Sequence, residues 1–185
     1  MPRPVNIAGL FALTWQRKGL FDLVVVLGVT LLGLSLILRI FQSGFPPGVD
    51  TPLFLHLSWF TQEMLQGSTV GLLDPYWYGG FHPFTTYPPL TYSLVGGLAT
   101  LPGMSLVPVY KGVLLAAYVG TSLATYVLVR ELGTGRLWSG FAAVLTTLAH
   151  PMLVSIGLWG WLSSIAAMPF ALLAFTGLER AYHRG

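Results

Sequence analysis

The chain has no cysteine. That removes disulfides, thiolate catalysis, zinc–thiolate centres and iron–sulfur clusters at once. Charge is scarce too: 8% of the 185 residues are Asp, Glu, Lys or Arg, against about 25% in a typical soluble domain. So few charges cannot cover the surface of a water-soluble globule. Disorder needs low hydrophobicity and high charge, and here 54% of residues are hydrophobic. There is no Gly-Lys-Ser/Thr phosphate loop, no His-Glu-x-x-His helix and no Gly-x-Ser-x-Gly elbow. The net charge of +3 does not indicate nucleic acid, because the basic residues sit at the edges of apolar runs, where they set membrane topology.

What the sequence has in quantity is long apolar runs. A bilayer core needs about 20 apolar residues per helix. Leu23–Leu38 is uncharged and closed by Asp22 and Arg39, which predicts a first span over Leu20–Phe41. Its length, and the lack of a small-x-small site after it, predict an uncleaved anchor rather than a signal peptide. Gly112–Val129, bracketed by Lys111 and Arg130, predicts the second span. Leu137–Leu178 is 42 residues without a formal charge, about twice the membrane thickness at 1.5 Å per residue. It must fold back, with a hinge in the Gly- and Trp-rich Ser155–Trp161, giving spans near 138–156 and 161–179. Pro169 is expected to kink the last.

Pro88–Pro102 is apolar but short and broken by Pro and Gly. Topology decides its placement. With four spans and a cytoplasmic N-terminus (1–19), seven of the nine basic residues lie inside: Arg3, Arg17, Lys18, Arg130, Arg136, Arg180 and Arg184. A fifth span would move four of them outside, against the positive-inside rule. The expectation is an all-α integral membrane protein. It has about four transmembrane helices, a long outer loop (42–110) with interfacial helices near 52–66 and 88–101, and three spans in 111–185.

That loop holds Asp50, Glu63, Asp74, His56 and His82 among many aromatics. Asp50-Thr51-Pro52 reads as a helix start. Leu53, Leu57, Phe60, Met64 and Leu65 then fall at helical spacing, which predicts an amphipathic helix lying on the membrane surface. Asp74-Pro75 and His82-Pro83 read as turn residues. His150, in the outer half of the third span, is an ionisable group at membrane depth. Gly112, Ala116, Gly120 and Ala124 form a small-residue stripe on the second span, suited to close helix packing within the chain or with a partner.

Several elements in order resemble a known family. They are Gly48-Val49-Asp50 after the first span, with His56 beyond it, and Leu73-Asp74-Pro75-Tyr76-Trp77-Tyr78-Gly79-Gly80. Tyr87-Pro88-Pro89-Leu90-Thr91-Tyr92 and, after the second span, Arg130-Glu131-Leu132-Gly133 follow. The chain is similar to the N-terminal part of GT-C class polytopic glycosyltransferases, closest to the 6-pyruvoyl-tetrahydropterin synthase-related membrane proteins. The resemblance implies a cell-membrane enzyme taking a sugar from a polyprenyl-phosphate donor on the outer face. It implies that Asp50 is the acceptor-side base, or holds Mg²⁺ or Mn²⁺ with His56, while helix capping remains the competing role. His56, Trp77, Tyr78, Tyr87 and Lys111 become candidate substrate contacts: the rings for stacking on sugar, Lys111 for a lipid phosphate. The competing readings are a polar helix face for His56, an interfacial aromatic belt for the rings, and snorkelling for Lys111. Complete members have more spans, so the chain is read as a fragment, half of a split enzyme, or a non-catalytic subunit packed among other membrane chains. A transporter piece is disfavoured, because no span carries a formal charge in its interior.

Overall fold

The computed structural model describes residues 7–38, 44–68, 73–76, 80, 82, 85 and 87–184. In order, the helices are α1 (Ile7–Leu38), α2 (Thr51–Leu65), α3 (Pro89–Ala99), α4 (Leu106–Glu131), α5 (Arg136–Leu148), the short α6 (His150–Val154) and α7 (Leu162–Arg184). A widened turn, Ser155–Trp159, joins α6 to α7.

The protein is an all-α membrane protein. Among the described residues, four helical stretches are long and apolar enough to cross a bilayer: Gly19–Leu38, Leu106–Glu131, Arg136–Trp159 and Leu162–His183. The expected first span ran to Phe41, but residues 39–41 lie outside the described ones. Large apolar side chains such as Leu31, Phe141, Phe170 and Leu178 stay more than half exposed. In water such a surface would drive association, whereas in lipid it is solvated. At 11 residues α3 is about 16 Å long, roughly half a hydrocarbon core. At that length it is too short to span the core alone.

α4 is the central element. Leu114 and Tyr118 of α4 are buried with Ile37 of α1 and with Ile156, Leu162 and Ile165 of the last two spans. On the small-residue stripe, a Cβ added at Gly120 would lie 3.6 Å from the Pro169 ring, whereas one at Gly112 would meet nothing within 4 Å. The stripe thus divides into a half that admits α7 and a half that faces outward. Helix α7 continues through Pro169. Hydroxyls join α4 to α5: Thr147 Oγ1 donates to Ser122 Oγ at 2.9 Å, and Thr146 Oγ1 to Thr125 Oγ1 at 3.4 Å. Within a membrane, side-chain hydrogen bonds of this kind join helices where apolar packing alone discriminates poorly.

The third span is not the single helix expected over 138–156. It breaks at Ala149, whose backbone is extended. Pro151 has no N–H to offer the carbonyl four residues earlier, that of Thr147. The Tyr118 hydroxyl donates to that carbonyl instead, so the break leaves no buried acceptor unpaired.

The two ends of the bundle differ in chemistry. At one, Asp22 Oδ1 of α1 accepts from Arg130 Nη1 of α4 at 3.1 Å and from Arg136 Nε of α5 at 3.0 Å. Arg180 of α7 pairs with Glu131 of α4 at 2.9 Å. All four spanning stretches are therefore tied at this arginine end. The opposite end carries α2, α3 and the turns that hold Asp50.

Candidate functional site

Helix α2 begins where the Asp-Thr-Pro sequence predicts, with Pro52 in its first turn, but Asp50 does not cap it with its side chain. Thr51 turns back instead, its Oγ1 donating to the Pro47 carbonyl at 2.9 Å. The Asp50 carboxylate is thus not engaged in the capping role that competed with chemistry.

Asp50 is held by its backbone. Its N–H donates to the Trp159 carbonyl at 2.8 Å, and the Val49 N–H to the Leu158 carbonyl at 2.9 Å. Two glycines allow the turns to interlock. Gly48 has φ +127°, and a Cβ there would lie 2.6 Å from the Gly160 Cα. Gly160 has φ +68°, and its Cβ would lie 2.4 Å from Thr51 Oγ1. Only glycine meets both the positive φ and the close approach. The Tyr110 hydroxyl is buried against Thr51. Trp159 and Trp161 flank Gly160 and stack with centroids 5.6 Å apart, each about 40% exposed. Asp50 therefore stands on an interlocked turn beside an exposed indole pair.

A second cluster lies further along α2. The His56 Nε2–H donates to Oδ2 of Asp74, which is fully buried. The Tyr76 N–H donates to the other carboxylate oxygen at 3.0 Å, the self-bonded turn expected of Asp before Pro. Both oxygens are thus satisfied, as a buried carboxylate requires. Trp59 contacts His56 and Tyr76, with centroids 5.5 Å and 5.7 Å away.

Asp50 and His56 are not brought together. Six residues apart on α2, they differ by about 9 Å along the axis and a third of a turn around it, and His56 is committed to Asp74. Among the described residues no three His, Asp or Glu side chains converge as a metal site. Asp50 would therefore meet Mg²⁺ or Mn²⁺ as a single carboxylate, the other oxygen ligands coming from water and substrate phosphate. Tyr87 packs edge-on against Phe54 at 6.3 Å and is half-buried. Lys111 is half-buried in the first turns of α4. His150 is exposed at the first residue of α6, at the break in the third span. Trp77 and Tyr78 lie outside the described residues.

Residue patterning did not reveal Asp74 as the partner of His56, nor the Trp159–Trp161 pair as a neighbour of Asp50. The signal available was the glycine in each turn, Gly48 and Gly160. The α2–α3 pairing is tight: Gly96 sits against the Ser58 carbonyl, where a Cβ would lie at 2.5 Å, and Gln62 Nε2 donates to the Ala99 carbonyl at 2.9 Å. Tyr92, buried between them, donates to the Tyr87 carbonyl at 3.4 Å. Burial pushes its hydroxyl up to about 12, so it stays a neutral donor and not a base.

Comparison with protein-family models, with curated proteins and with solved structures gives no match to the chain.

Proposed function

We propose that this chain is a GT-C-like glycosyltransferase of the cell membrane, or a truncated relative. It would be oriented with the arginine end in the cytoplasm and would transfer a sugar from a polyprenyl-phosphate donor on the outer face. The observation that carries the reading is the Asp50 carboxylate: not used in capping, fixed on an interlocked turn, and set beside stacked indoles. In this reading Asp50 accepts the proton of the acceptor hydroxyl as that oxygen bonds to the sugar's anomeric carbon. The bond from that carbon to phosphate breaks, and polyprenyl phosphate leaves with the electron pair. Trp159 and Trp161 offer faces for the sugar. No step is assigned to a metal.

The chain reconstituted in vesicles with a polyprenyl-phosphate sugar and an acceptor tests this. Removing a general base typically costs 10²- to 10⁴-fold. Asp50→Asn is therefore expected to lower transfer at least about 100-fold, with unchanged helicity and elution. Unchanged transfer would overturn the proposal. The separation of Asp50 from the His56–Asp74 pair favours a second reading, a non-catalytic membrane subunit that keeps part of the GT-C fold within a larger complex. It predicts that Asp50→Asn leaves assembly and function intact.

A further inference from the structure

At the arginine end two guanidinium groups share the Asp22 carboxylate, while Glu131 pairs with Arg180. Arg130 and Arg136 both bond a single oxygen, Asp22 Oδ1, which also accepts the Tyr126 hydroxyl. Two cations on one carboxylate leave a surplus positive charge. Each guanidinium carries five N–H donors, and Asp22 engages only Arg130 Nη1 and Arg136 Nε. Both side chains are about 30% exposed. The adjoining cavity, about 280 Å³, is lined by Asp22, Arg130, Glu131 and Arg180.

A second feature starts at the same place. An apolar groove of about 290 Å³ runs between α1 and α5, lined by Val24, Val25 and Gly28 on one side and Leu137, Gly140 and Phe141 on the other. It begins one residue from Asp22 and one from Arg136, and follows α1 for about 12 Å. An added Cβ at Gly28 would meet nothing within 4 Å, so the groove is open there. Two close guanidinium groups suit a phosphodiester. An apolar channel leading from them into the bilayer suits an acyl chain.

We propose that this seam binds an anionic phospholipid from the surrounding membrane, its phosphate on Arg130 and Arg136 and one acyl chain along Val25, Gly28 and Phe141. A zwitterionic headgroup brings its own cation to the same arginines and is held less well. The site is at the opposite end of the bundle from Asp50 and is independent of the transfer reaction.

The test is native mass spectrometry of the delipidated full chain, titrated with phosphatidylglycerol, with phosphatidylcholine of the same chain length, and with inorganic phosphate as competitor. Phosphatidylglycerol should bind at least about tenfold more tightly than phosphatidylcholine, and millimolar phosphate should not displace it. One surface arginine contributes roughly a fivefold preference for anionic lipid, so Arg136→Gln should reduce the ratio by about that factor. Gly28→Leu, which places its side chain in open space, should weaken both lipids and preserve the ratio. It keeps the groove testable if the arginine variant does not fold. Equal binding of the two lipids by the wild type, a ratio untouched in Arg136→Gln, or Gly28→Leu without effect overturns the proposal. Displacement by phosphate would also overturn it, by assigning the arginines to a free anion.

Discussion

At the scale of single residues, the turn holding Asp50 depends on what glycine permits. Gly160 combines a left-handed backbone with an approach that leaves no volume for a methyl group. A non-glycine residue in that region costs about 1–3 kcal/mol, and overlap with Thr51 adds to it. Gly160→Ala should therefore lower stability by at least about 2 kcal/mol, read as a fall in thermal midpoint in detergent. Gly177→Ala is the control: its helical site has open space within 4 Å, and removing a mid-helix glycine gains roughly 0.5–1 kcal/mol. If Gly160→Ala melted like the wild type, the interlock with Gly48 would not be what fixes Asp50. His56 shows why the sequence alone could not find its environment. Its partner Asp74 is 18 residues away, beyond the end of α2 where no helical or strand period prescribes the path, whereas the Asp-Pro turn at Asp74 was legible because it is local.

At the scale of elements, the apolar runs located the spans because a bilayer demands one property over a fixed length, and that demand is written in consecutive residues. The break at Ala149 was harder to read. Pro151 announces a lost hydrogen bond, but whether the helix bends, breaks or continues depends on what replaces the bond. Tyr118, on a different helix, supplies the replacement here, while Pro169 lies inside α7 without ending it. The α2–α3 pair shows the same division. Periodicity marked Leu53, Leu57, Phe60, Met64 and Leu65 as an apolar face; Leu57 and Phe60 are fully buried, whereas Leu65 in the last turn is exposed. That face also takes in Ser58 and Thr61, whose hydroxyls donate to the Phe54 and Leu57 carbonyls at 2.7 and 2.9 Å and so can be buried at little cost. The buried strip leads to Gly96, which sits against the α2 backbone at the Ser58 carbonyl. Gly96→Ala should force them apart at the usual overpacking cost of about 1–3 kcal/mol, exposing α2 amides to hydrogen exchange. Gly97→Ala, whose nearest neighbour would be Leu65 at 3.8 Å, should leave exchange unchanged. Equal protection in the two variants would show that α2 and α3 do not pack through Gly96.

At the scale of the whole molecule, everything functional depends on which groups share a side of the membrane. Four spans put the α2–α3 region on one side and the turn between α4 and α5, with the arginine cluster, on the other. A fifth crossing by α3 would place the residues before and after it on opposite sides, and would move the arginine cluster to the side of the first loop. The absence of cysteine makes the distinction directly measurable, since every introduced thiol is the only one. Ser68, Ser105 and Thr134 are exposed and lie before α3, after α3 and in the α4–α5 turn. Single cysteines there, in sealed vesicles of uniform orientation, should react with a membrane-impermeant maleimide in a fixed pattern. Ser68→Cys and Ser105→Cys should label from the same side, and Thr134→Cys only from the other or after the vesicles are opened. The hydrogen bond from Gln62 on α2 to the Ala99 carbonyl adds a constraint, because it fastens the end of α3 to a helix that does not cross. Labelling of Ser68→Cys and Ser105→Cys from opposite sides would mean that α3 traverses the lipid. Asp50 and the arginine cluster would then share a face, and neither an outward-facing carboxylate nor an inward-facing lipid site would survive.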